Sequence, residues 1–167
     1  MNGLEQVKSA LAAALEKAGI SARIAYAPGW AAGYQDPVVA VGLRTGESKG
    51  GALGSYLGQR LDPDTQTSRE LYGMSLVLTL SMDIYCPPGE GAGRCDEVLE
   101  KLHQVMLEGL PTGLRLTELK WEETVWDKDT SMFLRRGSLT CRAFLVAEAS
   151  EDGLLLSDFI LKGVVTK

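Results

Sequence analysis

The sequence predicts an α+β domain in which two main helices pack on one face of a mostly antiparallel sheet. Apolar residues recur every three or four positions near the N-terminus and again after a Gly-rich loop, as in helices that bury one face. In the run between those two stretches, apolar residues alternate with polar ones, as in strands with one covered face. A length of 167 residues suits a single domain spanning 1–167.

The first helix is predicted at the N-terminus and ends at Gly19, because glycine commonly terminates helices. Two strands are predicted next, from ARIAY at 22–26 and VVAVGLR at 38–44. The Gly/Pro-rich segment between them carries Trp30 and Tyr34 and is predicted to be a loop. The apolar stripe of the helix consists of Leu4, Val7, Leu11, Ala14, Leu15 and Ala18.

The stretch at about 44–70 is predicted to be a long loop, because it is rich in glycine and polar residues. Compact domains rarely contain irregular loops longer than about 12–15 residues unless the loop has a role. Its glycines make the backbone costly to order in an isolated subunit. It nevertheless carries Leu53, Tyr56, Leu57 and Leu61, which a solvated linker does not need. We therefore predict an interaction loop that becomes ordered on a partner; the alternative is a flexible loop with incidental apolar residues.

A long strand is predicted from the alternating run at 71–86, with Leu78 and Leu80 on its buried face and Thr79 and Ser81 on the other. The second helix follows, and its apolar stripe consists of Val98, Leu99, Leu102, Val105 and Met106. Further strands are predicted in the regions 114–126, 133–149 and 153–167. These elements complete the predicted sheet.

The loop CPPGEGAGRC at 86–95 raises three possibilities: a phosphate site, a redox pair or a simple connection. A phosphate-binding P-loop requires a lysine and a hydroxyl after its last glycine, but Arg94 and Cys95 follow Gly93. The glycines are spaced GxGxG rather than GxGxxG, and the preceding strand alternates, unlike a parallel strand covered on both faces. We interpret the loop as a turn between strand and helix.

The three cysteines form no CxxC motif, which disfavours a disulfide framework or a zinc site and indicates reduced thiols in a cytoplasmic protein. Cys95 is in phase with the apolar stripe of its helix, so we expect a packed thiol. Cys86 could reach Cys95 across the loop, although a reducing compartment gives that bond little use. His103 lies on the same helix as Cys95, about 12 Å along its axis, too far for a Cys–His pair; a meeting of His103 with Cys141 stays open.

Charged residues give no further sign of catalysis or cofactor binding. Carboxylates cluster at Glu122, Glu123, Asp127 and Asp129, and such groups can bind hard cations or transfer protons. Their spacing fits no EF-hand, so a solvated strand end is the preferred interpretation. A net charge of −5 disfavours nucleic-acid binding, and no apolar run approaches the roughly 20 residues of a membrane span. The N-terminus lacks the basic region of a signal peptide. We expect no catalytic residue, metal or cofactor.

Several local phrases and the order of the elements carry a family resemblance. The phrases are Tyr56-Leu57-Gly58, the Glu70-Leu71-Tyr72-Gly73 lead into the long strand, and the Pro-Pro-Gly-rich break before the second helix. Over most of its length the chain resembles the small neck and tail-completion proteins of long-tailed phages and prophages, of the tail-terminator type. The resemblance implies an α+β fold without catalytic residues. It also implies rings, commonly hexameric, that cap the tail tube and meet the head connector.

From the residues and the resemblance we expect a non-enzymatic tail or neck component, found in the virion and, during assembly, in the bacterial cytoplasm. Loops and sheet edges would join subunits head to tail. The candidate assembly interface consists of Trp30, Tyr34, Leu53, Tyr56, Leu57 and Leu61. One alternative is a small cytoplasmic enzyme or ligand-binding domain that uses the 86–95 loop, with Cys95 or a backbone nest as its anion site. Another is a dimeric accessory protein.

Overall fold

A computed structural model describes residues 3–24, 34–49, 56–61, 68–110, 113–149 and 159–161. These residues form two α-helices and one sheet of seven strands. The helices are α1 (Gly3–Lys17) and α2 (Gly93–Glu108), and a 3₁₀ turn, Pro88–Glu90, precedes α2. The strands are β1 (Ala22–Arg23), β2 (Val38–Lys49), β3 (Tyr56–Leu61), β4 (Ser68–Cys86), β5 (Leu114–Asp127), β6 (Met132–Ala149) and β7 (Phe159–Leu161).

The long antiparallel pair β4 and β6 forms the centre of the sheet, with partners running from Glu70↔Ala149 to Cys86↔Phe133. Two shorter strands follow one another along each outer side. On the outer side of β4, β2 pairs with the C-terminal part and β3 with the N-terminal part. On the outer side of β6, β5 is followed by β7. Strand β1 adds to β2 in parallel, so the predicted mostly antiparallel sheet is confirmed.

Both helices pack on one face of this sheet, as predicted, and their apolar stripes form the main core with alternate residues of the strands. The helix α1 ends in a glycine cap: Gly19 has a φ of 77° and donates to the Glu16 carbonyl, while Ile20 donates to the Leu15 carbonyl. The buried members of the core include Val7, Leu11, Leu15, Val39, Val41, Leu78, Leu80, Met82, Ile84, Cys95, Val98, Leu102, Leu139 and Cys141. The alternation of β4 and the α2 stripe are therefore confirmed.

The opposite face of β4 is more covered than its polar alternation predicts. Ser81 and Asp83 are only 6% and 8% exposed, and Tyr85 is also buried. A second apolar cluster covers the C-terminal end of this face, composed of Val38, Ala40, Tyr85, Met132 and Leu134 with Tyr34 packed against it. Thr79 and Ser81 do lie opposite the helices, but the expectation of a half-exposed face fails near Ser81.

The predicted long loop at 44–70 is wrong for the described residues of that range. Residues 44–49 continue β2, residues 56–61 form β3, and β4 begins at Ser68. Residues 44–48 have exposed side chains on both faces, so no apolar alternation marks them, and pairing to β4 supplies the backbone hydrogen bonds. Glycine suits position 46 of this strand because a Cβ there would lie 3.2 Å from the Leu78 side chain, closer than ordinary van der Waals contact. Residues 50–55 and 62–67 lie outside the described residues.

Candidate functional site

One outer side of the sheet carries exposed apolar residues on β3. Tyr56 is 54% exposed and Leu61 is 65% exposed. The Tyr56 ring meets Tyr72 edge-on, with centroids 5.7 Å apart, and Tyr72 donates a 2.5 Å hydrogen bond to Glu70 Oε2. That bond is the main reason why the pKa of Tyr72 is raised. We call Tyr56 and Leu61 the β3 edge.

The opposite outer side carries exposed apolar residues on β5. Leu116, Val125 and Trp126 are 36%, 40% and 46% exposed, and we call them the β5 edge. The Trp126 ring packs edge-on against Phe133, with centroids 5.2 Å apart, so its position is fixed by the fold although nearly half of it faces solvent. The polar residues beside this edge are exposed and include Arg115, Glu118, Lys120, Glu122 and Glu123.

The β5 edge was not predicted, because β5 contains two bulges that interrupt its alternation. Its register against β6 shifts between Leu116 and Glu118 and again between Trp121 and Thr124. Each bulge adds a residue and changes the face that the following side chains occupy. Strict alternation from Leu114 therefore misassigns the stretch between the bulges, which contains Leu119 and Trp121, and the second bulge restores the original phase at Trp126. The local signal was the loss of strict alternation along LRLTELKWEETVW.

Only part of the predicted interface assembles on one surface. Tyr56 and Leu61 lie on β3, and Leu57 lies between them at a register shift of the same strand. Tyr34 instead packs inward on the second apolar cluster, and its hydroxyl accepts a 2.6 Å hydrogen bond from Arg23 Nε. Tyr85 of that cluster and Tyr72 beside β3 are 13 positions apart on β4, which is about 40 Å along a strand. Trp30 and Leu53 lie outside the described residues.

The 86–95 loop has the geometry of a tight connection, as the sequence predicts. Gly91 has a φ of 76°, which favours glycine, and its amide donates to the Pro88 carbonyl at 3.3 Å. Two amides further along are used in the same way: Arg94 N–H donates to the Gly91 carbonyl and Cys95 N–H to the Ala92 carbonyl. An anion would have to compete with these bonds. The geometry therefore favours a connection over a phosphate-binding nest.

The two cysteines that bracket this loop meet in the core. Cys86 and Cys95 are both 0% exposed, their sulfurs lie 2.9 Å apart, and all three cysteines are thiols. The prediction of a packed Cys95 is confirmed. The pKa of Cys95 is lowered, chiefly by its hydrogen bond with Cys86 and further by the charge of Arg135, while burial opposes the shift. By contrast, burial raises the pKa of Cys141 to about 11.

His103 contacts Trp121 rather than a cysteine. Trp121 Nε1 donates a 3.1 Å hydrogen bond to His103 Nε2, and the two rings meet edge-on. The indole also lies over Gly137, the residue that Trp121 faces on β6. This arrangement links the edge strand β5 to helix α2 across a position without a side chain.

A polar cleft of about 370 Å³ lies beside this glycine, lined by Arg44, Lys120, Trp121, Glu122, Arg136, Gly137 and Ser138. Two of these lining residues donate to Asp83 Oδ1: the Gly137 amide at 3.1 Å, and Arg44 Nη2, which forms an ion pair with the carboxylate, at 3.1 Å. The carboxylate thus accepts a hydrogen bond from the Gly137 amide at the point where the pairing of β4 with β6 is interrupted, between Ser81↔Ser138 and Ile84↔Arg135. Arg135 and Arg136 are adjacent on β6 and point to opposite faces: Arg135 pairs with Asp96 on α2, whereas Arg136 lines the cleft.

The predicted carboxylate cluster is spread along the end of β5. Glu122 and Glu123 are exposed, and Asp127 accepts a 2.6 Å hydrogen bond from Thr130 Oγ1 in the turn after β5. Within the described ranges, His, Cys, Asp and Glu side chains form no group that could hold a metal ion. The described helices are also too short or too polar to cross a bilayer.

No protein-family model matches the chain, and a search of curated proteins found no relative.

Proposed function

We propose that this protein is a non-enzymatic structural component of a phage or prophage tail or neck. In this proposal it assembles head to tail into a ring, of six subunits as the family resemblance implies, that caps the tail tube and joins it to the head connector. The observation that carries the proposal is the presence of exposed apolar side chains on two opposite edges of one sheet. The family resemblance of the sequence adds the expectation of a tail terminator.

A head-to-tail ring requires two different surfaces on each subunit, one for each neighbour. The β3 edge and the β5 edge meet this requirement because they flank the central pair β4 and β6 on opposite sides. Both combine exposed aromatic and aliphatic side chains with a polar surround, which is the composition of many protein interfaces. A two-fold dimer, by contrast, needs only one self-complementary surface.

The two edges also differ in how a neighbour could contact them. The bulges of β5 disturb its outer row of backbone groups, and such bulges discourage the addition of another strand. We therefore expect side chains, led by Trp126, to make the contact on that side. Strand β3 has one register shift, between Tyr56 and Gly58, and its remaining residues offer a regular outer row. The proposed joint places Trp126 of one subunit against the β3 edge of the next.

The proposal is tested by blocking each edge separately. Leu61→Lys places a charge on the β3 edge and Val125→Lys places one on the β5 edge. Leu107→Lys is the matched control, because Leu107 is 88% exposed on α2. Sedimentation velocity and negative-stain microscopy should show rings for the wild type, about 108 kDa for six 18.0 kDa subunits. Rings should persist in the control and be lost in both edge variants.

Mixing the two blocked variants distinguishes a ring from other assemblies. Each variant keeps the edge that the other lacks, so an equimolar mixture should form dimers with one subunit of each kind and should not grow further. Variants that stay monomeric when mixed would contradict the head-to-tail joint. A wild type that stays monomeric or forms only two-fold dimers at high concentration, with purified tail tubes present, would contradict the proposed function.

A further inference from the structure

The pair Cys86 and Cys95 has a geometry that packing alone does not require. Cys86 ends β4, the longest strand, and Cys95 lies in the first turn of α2. The two sulfurs are 2.9 Å apart and both side chains are fully buried. A disulfide bond is about 2.05 Å long, so the sulfurs need to approach by only about 0.9 Å to form one.

The surroundings of Cys95 suit a thiolate. The hydrogen bond with Cys86 is the largest cause of the lowered pKa of Cys95. The charge of Arg135 and the Thr124 hydroxyl act in the same direction, while burial and the charge of Asp96 oppose them. Among the described residues, Arg135 Nε and Thr124 Oγ1 are buried atoms without a hydrogen-bond partner. An unsatisfied buried donor is costly, and a sulfur anion beside these two groups would relieve that cost. The thiolate is the reactive form of cysteine.

We propose that Cys86 and Cys95 form a reversible oxidation site, at which a small peroxide converts the two thiols into an intramolecular disulfide. The inference depends only on these side chains and their neighbours, so it holds whether or not the chain assembles into rings. Cys141 does not take part. Its thiol is buried among apolar residues of the same core, and its raised pKa keeps it protonated.

The reaction proceeds in two balanced steps. The Cys95 thiolate attacks one oxygen of hydrogen peroxide, the O–O bond breaks, and a sulfenic acid and hydroxide form. The Cys86 thiol then attacks the sulfenic sulfur, the S–S bond forms, and the sulfenic oxygen leaves as water once it has taken up a proton. In sum, two thiols and one peroxide give one disulfide and two waters. A dithiol reductant reverses the change by thiol–disulfide exchange.

The bond would join the end of β4 to the start of α2 and close the Gly-rich connection. A cross-link over a loop of ten residues restricts the unfolded chain and stabilises the fold. For a chain of this length we expect oxidation to raise Tm by roughly 5–10 °C. The reduced and oxidised forms can therefore be distinguished by calorimetry as well as by mass.

The experiment treats the native full-length protein with hydrogen peroxide, stops the reaction in acid, and alkylates the remaining thiols after denaturation. Mass spectrometry should show a loss of about two mass units, one per thiol hydrogen, and a peptide linking Cys86 to Cys95, with Cys141 alkylated. Cys95→Ala should abolish the linked peptide, whereas Cys141→Ala should leave it unchanged. Arg135→Gln keeps all three thiols and should slow the reaction several-fold.

Specific results would overturn the proposal. They are an absence of the linked peptide from native protein, a Cys95 oxidised to sulfinic acid while Cys86 stays alkylatable, or links between different molecules only. An unchanged rate in Arg135→Gln, with circular dichroism showing a native fold, would remove the role of the cation. Because Cys141→Ala and Arg135→Gln both retain the pair, the test does not depend on whether Cys95→Ala folds.

Discussion

Replacing Gly137 with alanine should destabilise the protein because a methyl group has no space there. A Cβ at this position would lie 2.1 Å and 2.5 Å from two ring atoms of Trp121 and 2.7 Å from the backbone carbonyl oxygen of Met82. Gly137 is not among the glycines with a positive φ, so the difficulty is space rather than backbone conformation. The indole would have to move and would lose its hydrogen bond to His103.

We expect Gly137→Ala to lower the free energy of unfolding by about 3 kcal/mol, at the upper end of the range for overpacking. Trp121→Ala removes the ring contact but leaves the Met82 carbonyl in place. In that background the same substitution should therefore cost only about 1–2 kcal/mol. The two changes are then non-additive by about 1–2 kcal/mol, as expected for residues in contact.

The measurement is urea unfolding followed by far-ultraviolet circular dichroism, which does not depend on the tryptophan that one variant removes. Gly93→Ala is the matched control, because a Cβ there meets nothing within 4 Å, and it should stay within about 0.5 kcal/mol of the wild type. A cost below 0.5 kcal/mol for Gly137→Ala, or full additivity with Trp121→Ala, would refute this account of how the edge strand packs on Gly137.

Two further predictions concern the faces of the sheet and the pH dependence of stability. Leu78 is 1% exposed, so Leu78→Ala should cost about 2–5 kcal/mol in urea unfolding; Thr79→Ala removes a half-buried hydroxyl and should cost less than half as much. The pKa of Cys141 is raised from 9.0 to about 11, so its thiol contributes stability that is complete below pH 9.0 and is lost as the pH rises through 11. The wild type should therefore lose more unfolding free energy than Cys141→Ala over that window, and parallel pH curves would contradict this.

The parts of the fold that the sequence predicts correctly are those in which one regular period faces one core. The α2 stripe and the Leu78–Leu80 alternation are examples, because each has a single apolar face packed on the other. Strand β2 beyond Arg44 was missed because its side chains are exposed on both faces. It is a strand because it pairs with β4, and its own side-chain pattern does not reveal that pairing. A prediction from hydrophobic periodicity cannot detect a strand that lacks a covered face.

The candidate interface was predicted only in part, for two physical reasons. Tyr34 lies in a Gly/Pro-rich segment, which indicates an exposed aromatic, but its ring helps to cover the second face of the sheet. Trp126 was overlooked because the bulges interrupt the alternation between Leu116 and Trp126. The close approach of Cys86 and Cys95 was recognised as possible from the loop, but the 2.9 Å separation depends on how α2 docks on β4.

The two proposals meet at Phe133, which makes their relationship testable in principle. Phe133 is the partner of Cys86 in the ladder, its carbonyl lies 3.9 Å from the Cys95 sulfur, and its ring packs on Trp126 of the β5 edge. If oxidation moves Cys95 slightly, the movement therefore occurs beside the β5 edge, which is one of the two proposed ring surfaces. The β3 edge pairs with the other end of β4, roughly 45–60 Å away along the strand. We therefore expect any effect of oxidation on assembly to act through the β5 edge. In the mixed dimer, oxidation of the Leu61→Lys subunit, which contributes its β5 edge, should change the affinity of the joint. Oxidation of the Val125→Lys subunit, which contributes its β3 edge, should leave that affinity unchanged.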